Sequence, residues 1–119
     1  MKFAAIDIGS NAIRLLFYNV FEQDGVPTFR KISLTRMPVR LGADVFTEQE
    51  ISEDKIVKLS KTMTAFRNLI EVHEVISYKA YATSAMREAL NGKEVIDRVF
   101  KESGVKIHII DGETEAKVI

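Results

Sequence analysis

The stretch FAAIDIGSNAIRLLFY, Phe3 to Tyr18, sets two apolar runs back to back with an Asp and three turn residues between them. Phe3 to Ile8 has the length and composition of a buried strand, and Ile13 to Val20 is a second run rich in β-branched and aromatic residues. The Gly9-Ser10-Asn11 link is too short for anything but a tight turn, so the two runs are predicted to pair as a hairpin. Asp24-Gly25 marks another turn. From Thr28 to about Met37, Ile32, Leu34 and Arg36 alternate with Lys31, Ser33 and Thr35, which predicts a third strand and an antiparallel meander.

The period then changes. Ser52 reads as an N-cap, Glu53 and Asp54 occupy the first turn, and Ile56, Leu59, Met63, Phe66 and Ile70 recur at three and four. Val75 to Ala82 returns to a strand. Asn91 reads as the cap of a second helix with Glu94 at the capping-box position. Its buried face is Val95, Ile96, Val99 and Phe100, and Gly104 is its stop. Val105, Ile107 and Ile109 form a last strand, and GETEAKVI after Asp111 looks helical. The order βββ-α-β-α-β-α predicts an α/β fold, a mixed five-stranded sheet with helices on its faces.

A chain of 119 residues suits one domain or one lobe, and with 46% hydrophobic residues it can bury a core. The final helix has no stop signal before Ile119, so the sequence reads as part of something longer. Lys+Arg and Asp+Glu are both 17, so no global field favours nucleic acid or an anionic membrane, and neither is expected as a partner. A bound anion must be held by local geometry. There is no Cys, which excludes disulfides and thiolate metal sites. Asp7 interrupts the first apolar run too soon for a signal peptide, and no run approaches the roughly 18 residues of a membrane span. A cytoplasmic location is the default expectation.

Three polar islands follow strand ends: DIGSN after the first strand, ATSAMREALN (Ala82–Asn91) after the fourth and IDGETEAK (Ile110–Lys117) after the last. Ligands of open α/β sheets bind outside the carboxyl ends of strands, so the convergence points to one site. Each island also has a plainer reading. Gly9, Ser10 and Asn11 either make a simple hairpin turn or offer N–H groups to a phosphate, with Asp7 at the rim for a metal-bound water. Thr83 or Ser84 either caps a short helix or helps form an anion site with Arg87 one turn inside. Glu113 and Glu115 either complement a helix dipole or supply a general base for an attacking water. His73 and His108 lack metal-ligand spacing and are read as structural. Alternation sets Arg14 opposite Ile13 and Leu15, on the outer sheet face.

Taken together, DIGSNAIRL (Asp7–Leu15), ATSAMREALN (Ala82–Asn91) and GETEA (Gly112–Ala116), in that order and spacing, resemble the N-terminal lobe of the exopolyphosphatase / guanosine pentaphosphate phosphohydrolase (Ppx/GppA) family. The resemblance covers essentially the whole chain. It implies a ribonuclease-H-like lobe of the actin-like ATPase superfamily. It also implies Mg²⁺-assisted hydrolysis of terminal phosphoanhydrides of polyphosphate, or of the 5′-γ-phosphate of guanosine pentaphosphate. Carried over by position, Gly9, Ser10 and Asn11 form the first phosphate loop, and Arg14, Thr83, Ser84 and Arg87 bind the phosphate chain. Asp7 helps hold the metal, and Glu115 is the catalytic carboxylate and a metal ligand. Thr114 departs from the adjacent Glu residues that many members carry, which makes Glu113 a candidate for part of that role. The family's second phosphate loop would lie beyond Ile119, in a second lobe that closes over the phosphates. Residues 1–119 are thus expected to be one lobe of a two-lobed enzyme, inactive by itself. An uncovered apolar face would allow two copies to pair.

Two rivals remain at this point. A lobe of an ATP-dependent sugar- or acetate-type kinase would share the fold, although the TSAMREALN segment argues against it. A non-enzymatic sensor of phosphate ligands would keep the cradle and lose the turnover.

Overall fold

The computed structural model describes residues 1–110; the expected helix over GETEAKVI and its Glu113 and Glu115 lie outside the described residues. Three strands, β1 (Lys2–Ile8), β2 (Ile13–Gln23) and β3 (Val26–Met37), form the expected meander. β2 and β3 run further than Val20 and Thr28 because Asp24 and Gly25 close a two-residue turn with φ of 53° and 78°. Positive φ at both turn positions matches the twist of the flanking strands, so the ladder continues to the turn itself. After β3 come α1 (Leu41–Glu48), α2 (Glu53–Val72), β4 (Ser77–Ala82), α3 (Ser84–Glu88), α4 (Gly92–Ser103) and β5 (Ile107–Ile109). β4 and β5 each begin two residues later than the apolar pattern predicts.

The sheet order is β3-β2-β1-β4-β5. β1 pairs antiparallel with β2 and parallel with β4, and β4 pairs parallel with β5, so the sheet is mixed and β1 is central. Its side chains divide by parity. Ala4, Ile6 and Ile8 of β1, Ile13, Leu15 and Phe17 of β2, and Ala80 and Ala82 of β4 are buried in one cluster with residues from all four helices. Leu59, Met63 and Phe66 of α2 fill its centre. The residues of opposite parity, Phe3, Ala5, Asp7, Arg14, Leu16 and Tyr18, are half-buried or exposed. The helical layer therefore covers one face of the sheet among the described residues.

Ser52 caps α2 as expected, its hydroxyl accepting from the Lys55 N–H at 3.4 Å. α4 differs from expectation at its start. Asn91 makes no side-chain cap and Glu94 is exposed, because the Asn91 carboxamide is engaged elsewhere. Val95 and Val99 are buried as expected, Ile96 is partly buried, and Phe100 is 47% exposed. Gly104 ends α4 in the left-handed conformation at φ 79°. That φ is what favours glycine there, while the Arg67 guanidinium, which donates to the Ser103 carbonyl, packs over the position. α1 is the element the sequence pattern does not announce. It has Arg40 in place of a capping residue, Gly42 inside its first turn, and only Leu41 and Val45 as a buried pair of side chains. Among the described residues no helix is long and apolar enough to cross a membrane.

Candidate functional site

The β1–β2 connection is a turn whose Gly9 N–H donates to the Ala12 carbonyl at 3.0 Å. That donor is consumed by the turn and is not offered to a ligand, as the expected phosphate loop would need. A Cβ on Gly9 would meet the Ala12 oxygen at 3.1 Å, closer than a side chain sits comfortably. Among the described residues, the Ser10 and Asn11 N–H groups donate to no backbone carbonyl. β4 runs parallel beside β1 and ends level with it, because Ile8 pairs with Ala82 and the Thr83 N–H donates to the Ile8 carbonyl at 3.2 Å. The first two polar islands thereby lie side by side.

Their contact is direct. The Ser10 and Ser84 hydroxyls are 2.9 Å apart. Neither Thr83 nor Ser84 is spent on capping α3, which is five residues long and carries little dipole. Asp7, Gly9, Ser10, Asn11, Arg14, Thr83 and Ser84 line a single cleft of about 220 Å³ together with Ala12. Seven of the residues singled out in the sequence therefore share one polar cavity. Arg14 stands across the β1–β2 ladder from Asp7, its Nη1 3.7 Å from Asp7 Oδ2, so it faces away from the helices and still reaches the cleft.

Arg87 does not line this cleft. Its Nη1 donates to the Ile110 carbonyl at 2.6 Å, and its Nε lies 3.8 Å from a Glu88 oxygen. It thus ties α3 to the end of β5, the point from which the third island departs. Glu115, the expected catalytic residue, lies outside the described residues. Among those described, no group of three His, Asp or Glu side chains is arranged to hold a metal ion. His73 stacks on Phe17 with ring centroids 4.0 Å apart, and His108 tilts against Tyr81.

Larger concavities lie on the open sheet face. One of about 640 Å³ is lined by Phe3, Tyr18, Phe29, Tyr78 and Tyr81 with Lys31 and Lys79. Volume does not decide between it and the smaller cleft. The smaller one gathers hydroxyls, uncommitted backbone donors, a carboxylate and a guanidinium, which is the donor set an oxyanion needs.

α1 forms a further wall that the sequence reading missed. The Gly42 N–H donates to the Ser10 carbonyl at 2.8 Å, and a Cβ on Gly42 would lie 3.0 Å from Ser10 Cβ. At the other end, Gln49 adopts φ 64°, and its carbonyl accepts from the Leu90 N–H at 2.9 Å. The Asn91 carboxamide pairs with both backbone groups of Ile51, each at 3.0 Å. Asp44 of α1 accepts from the Ser52 N–H at 3.0 Å and pairs with Lys55 at 2.9 Å. Burial pushes the Asp44 carboxyl up, but the bonds from Ser52 and Lys55 together overcome it and hold the group below its usual range.

The Ppx/GppA phosphatase family model matches residues 20–119. The chain belongs to this family. It is 31% identical over 118 residues to Exopolyphosphatase 1 of Mycobacterium tuberculosis, covering 99% of this chain and 33% of that protein. It is 30% identical over 118 residues to the guanosine-5′-triphosphate,3′-diphosphate pyrophosphatase of Photobacterium profundum, covering 98% and 23%. The crystal structure of the Aquifex aeolicus Ppx/GppA family member superposes with a TM-score of 0.86 at 32% identity, covering 97% of this chain and 36% of that one. The chain thus spans about a third or less of the length of these Ppx/GppA relatives. The mixed five-stranded sheet with helices matches the expected α/β class, and its fold is that of the Aquifex aeolicus Ppx/GppA family member.

Proposed function

We propose that this chain supplies the N-terminal, phosphate-binding lobe of a hydrolase that removes terminal phosphate from inorganic polyphosphate or from guanosine pentaphosphate. The observation that carries the reading is the shared cleft, in which Asp7, Ser10, Asn11, Arg14, Thr83 and Ser84 surround one polar cavity. Phosphoryl transfer to water depends on positioning and charge stabilisation more than on covalent chemistry, and this donor set serves both. The Ser10 and Asn11 N–H groups and the Ser84 hydroxyl donate to non-bridging oxygens. Arg14 adds a planar positive fork whose present partner, Asp7, is partly exposed and yields readily to a phosphate.

The donor set also fits Mg²⁺, which binds through one or two carboxylates and completes its shell with water and substrate phosphate. Asp7, with Glu115, would hold the ion, which when bound neutralises charge on the phosphate oxygens. Glu115 accepts a proton from the attacking water as its oxygen bonds to the terminal phosphorus and the bridging P–O bond breaks, leaving the shortened chain. Arg87, which donates to the Ile110 carbonyl at the end of β5, binds the phosphate chain from that side. A second lobe of the same protein closes the cleft and excludes water.

The test is phosphate release from polyphosphate and from guanosine pentaphosphate, with Mg²⁺, by the protein carrying both lobes. Glu115→Gln should abolish release from the preferred substrate while leaving its binding intact. Undiminished release by that variant, or release from ATP alone by the unaltered protein, overturns the proposal.

A further inference from the structure

α1 and the turn after it touch both phosphate-facing turns at once. At its start the Gly42 N–H donates to the Ser10 carbonyl, with no room for a side chain between them. Just past its end, the Gln49 carbonyl accepts from Leu90, and Ile51 is held by both polar atoms of the Asn91 carboxamide. Leu90 and Asn91 follow α3 (Ser84–Glu88) after the single residue Ala89. α1 and the three residues after it, Gln49 to Ile51, therefore run from the first turn to the segment that follows α3. Directly between the two turns the Ser10 and Ser84 hydroxyls meet, a soft contact. A hydroxyl pair of this kind rotates freely and fixes little by itself.

We propose that α1 is a bracket that sets the spacing of the two phosphate-binding turns, with Gly42 and Asn91 as positioning residues. The inference rests on the phosphate reading of the cleft and adds what holds its two halves in register. Asn91 has the residue type of a helix cap and the position of one, yet its amide is spent on Ile51. A carboxamide matches a backbone peptide group donor for acceptor, so the pairing fixes both distance and angle. Gly42 does the same by close approach. Gly is a poor helix former, and its place in the first turn of α1 is explained by the Ser10 carbonyl and Cβ that press against it.

The variants Asn91→Ala and Gly42→Ala separate this role from simple stability. Amide NMR spectra of this chain report the turns directly, and titration with tripolyphosphate reports their joint use. Asn91→Ala should move the Ser10 and Asn11 amide signals, although neither residue touches the substituted side chain. Gly42→Ala gains helix propensity but presses a Cβ on Ser10, so a merely structural role predicts a changed melting temperature with unchanged binding in the folded protein. The bracket predicts tripolyphosphate affinity reduced roughly tenfold in the folded protein, whatever the melting temperature does. Signals and affinity at their wild-type values in folded Gly42→Ala overturn the proposal, and this variant decides if Asn91→Ala does not fold. If the unaltered chain binds no tripolyphosphate, the phosphate reading falls separately. The Ser84 amide position in Gly42→Ala then still decides the bracket, moved if it holds and unmoved if it does not.

Discussion

The Ser10 hydroxyl lies 2.9 Å from that of Ser84, a residue 74 positions later, and this contact joins the loop of an antiparallel hairpin to the end of a parallel strand. It exists because β1 pairs with β2 on one side and β4 on the other, so both turns leave the sheet at one edge. A double-mutant cycle on Ser10→Ala and Ser84→Ala measures it. Each single change should cost about 1 kcal/mol in denaturant unfolding, with a coupling of roughly 0.5–1 kcal/mol, the scale of a part-buried hydrogen bond. Strict additivity would mean that the contact contributes nothing.

Arg14 divides stability from function. Its pairing with Asp7 is long at 3.7 Å and its side chain is 49% exposed, so Arg14→Gln should change stability by less than about 1 kcal/mol. The same substitution should weaken binding of a phosphate chain severalfold and flatten its dependence on salt. Equal affinity for tripolyphosphate in the two proteins at low salt would remove Arg14 from the site.

Leu59 is fully buried between the sheet and the helical layer. Leu59→Ala should cost about 2–5 kcal/mol, the lost transfer energy plus that of the cavity left behind. A loss under about 1 kcal/mol would show that the helices close over the gap and that the core is looser than its burial implies.

Acid should loosen the bracket before it unfolds the core. The Asp44 carboxyl, raised by burial but lowered further by its bonds to Ser52 and Lys55, has a native pKa below its ordinary 3.8. Its stabilisation is therefore fully present above that ordinary value and is lost as pH falls through the lowered native one. Unfolding free energy followed below pH 4 should drop less steeply in Asp44→Asn than in the unaltered chain, whereas identical slopes would rule out the linkage.

The sequence carried the architecture where local pattern and tertiary environment agree. β1, β2 and α2 were legible because each buries one face, so that period and burial coincide. The cleft was legible because its residues cluster at strand ends, where topology brings separate turns together. α1 was not, since Arg40 is no capping residue and Gly42 is a poor helix former, and the contact with Ser10 that accounts for Gly42 is a tertiary one. Asn91 misled for a related reason. An Asn before a helix looks the same in sequence whether its amide turns inward to cap or outward to grip Ile51. The hydrogen bond that consumes the Gly9 N–H was equally invisible, because turn type follows from strand register and not from the turn residues alone.

The central claim is that the Ser10–Ser84 cleft, and not the larger aromatic concavity on the sheet face, receives a phosphate chain. Titrating this chain with tripolyphosphate while following its amide signals separates the two directly. Saturable shifts at Ser10, Asn11, Arg14 and Ser84, with Phe3, Tyr18 and Phe29 unmoved, are the result expected. Shifts centred on Phe3, Tyr18 and Phe29, or none at Ser10 and Ser84, would contradict it.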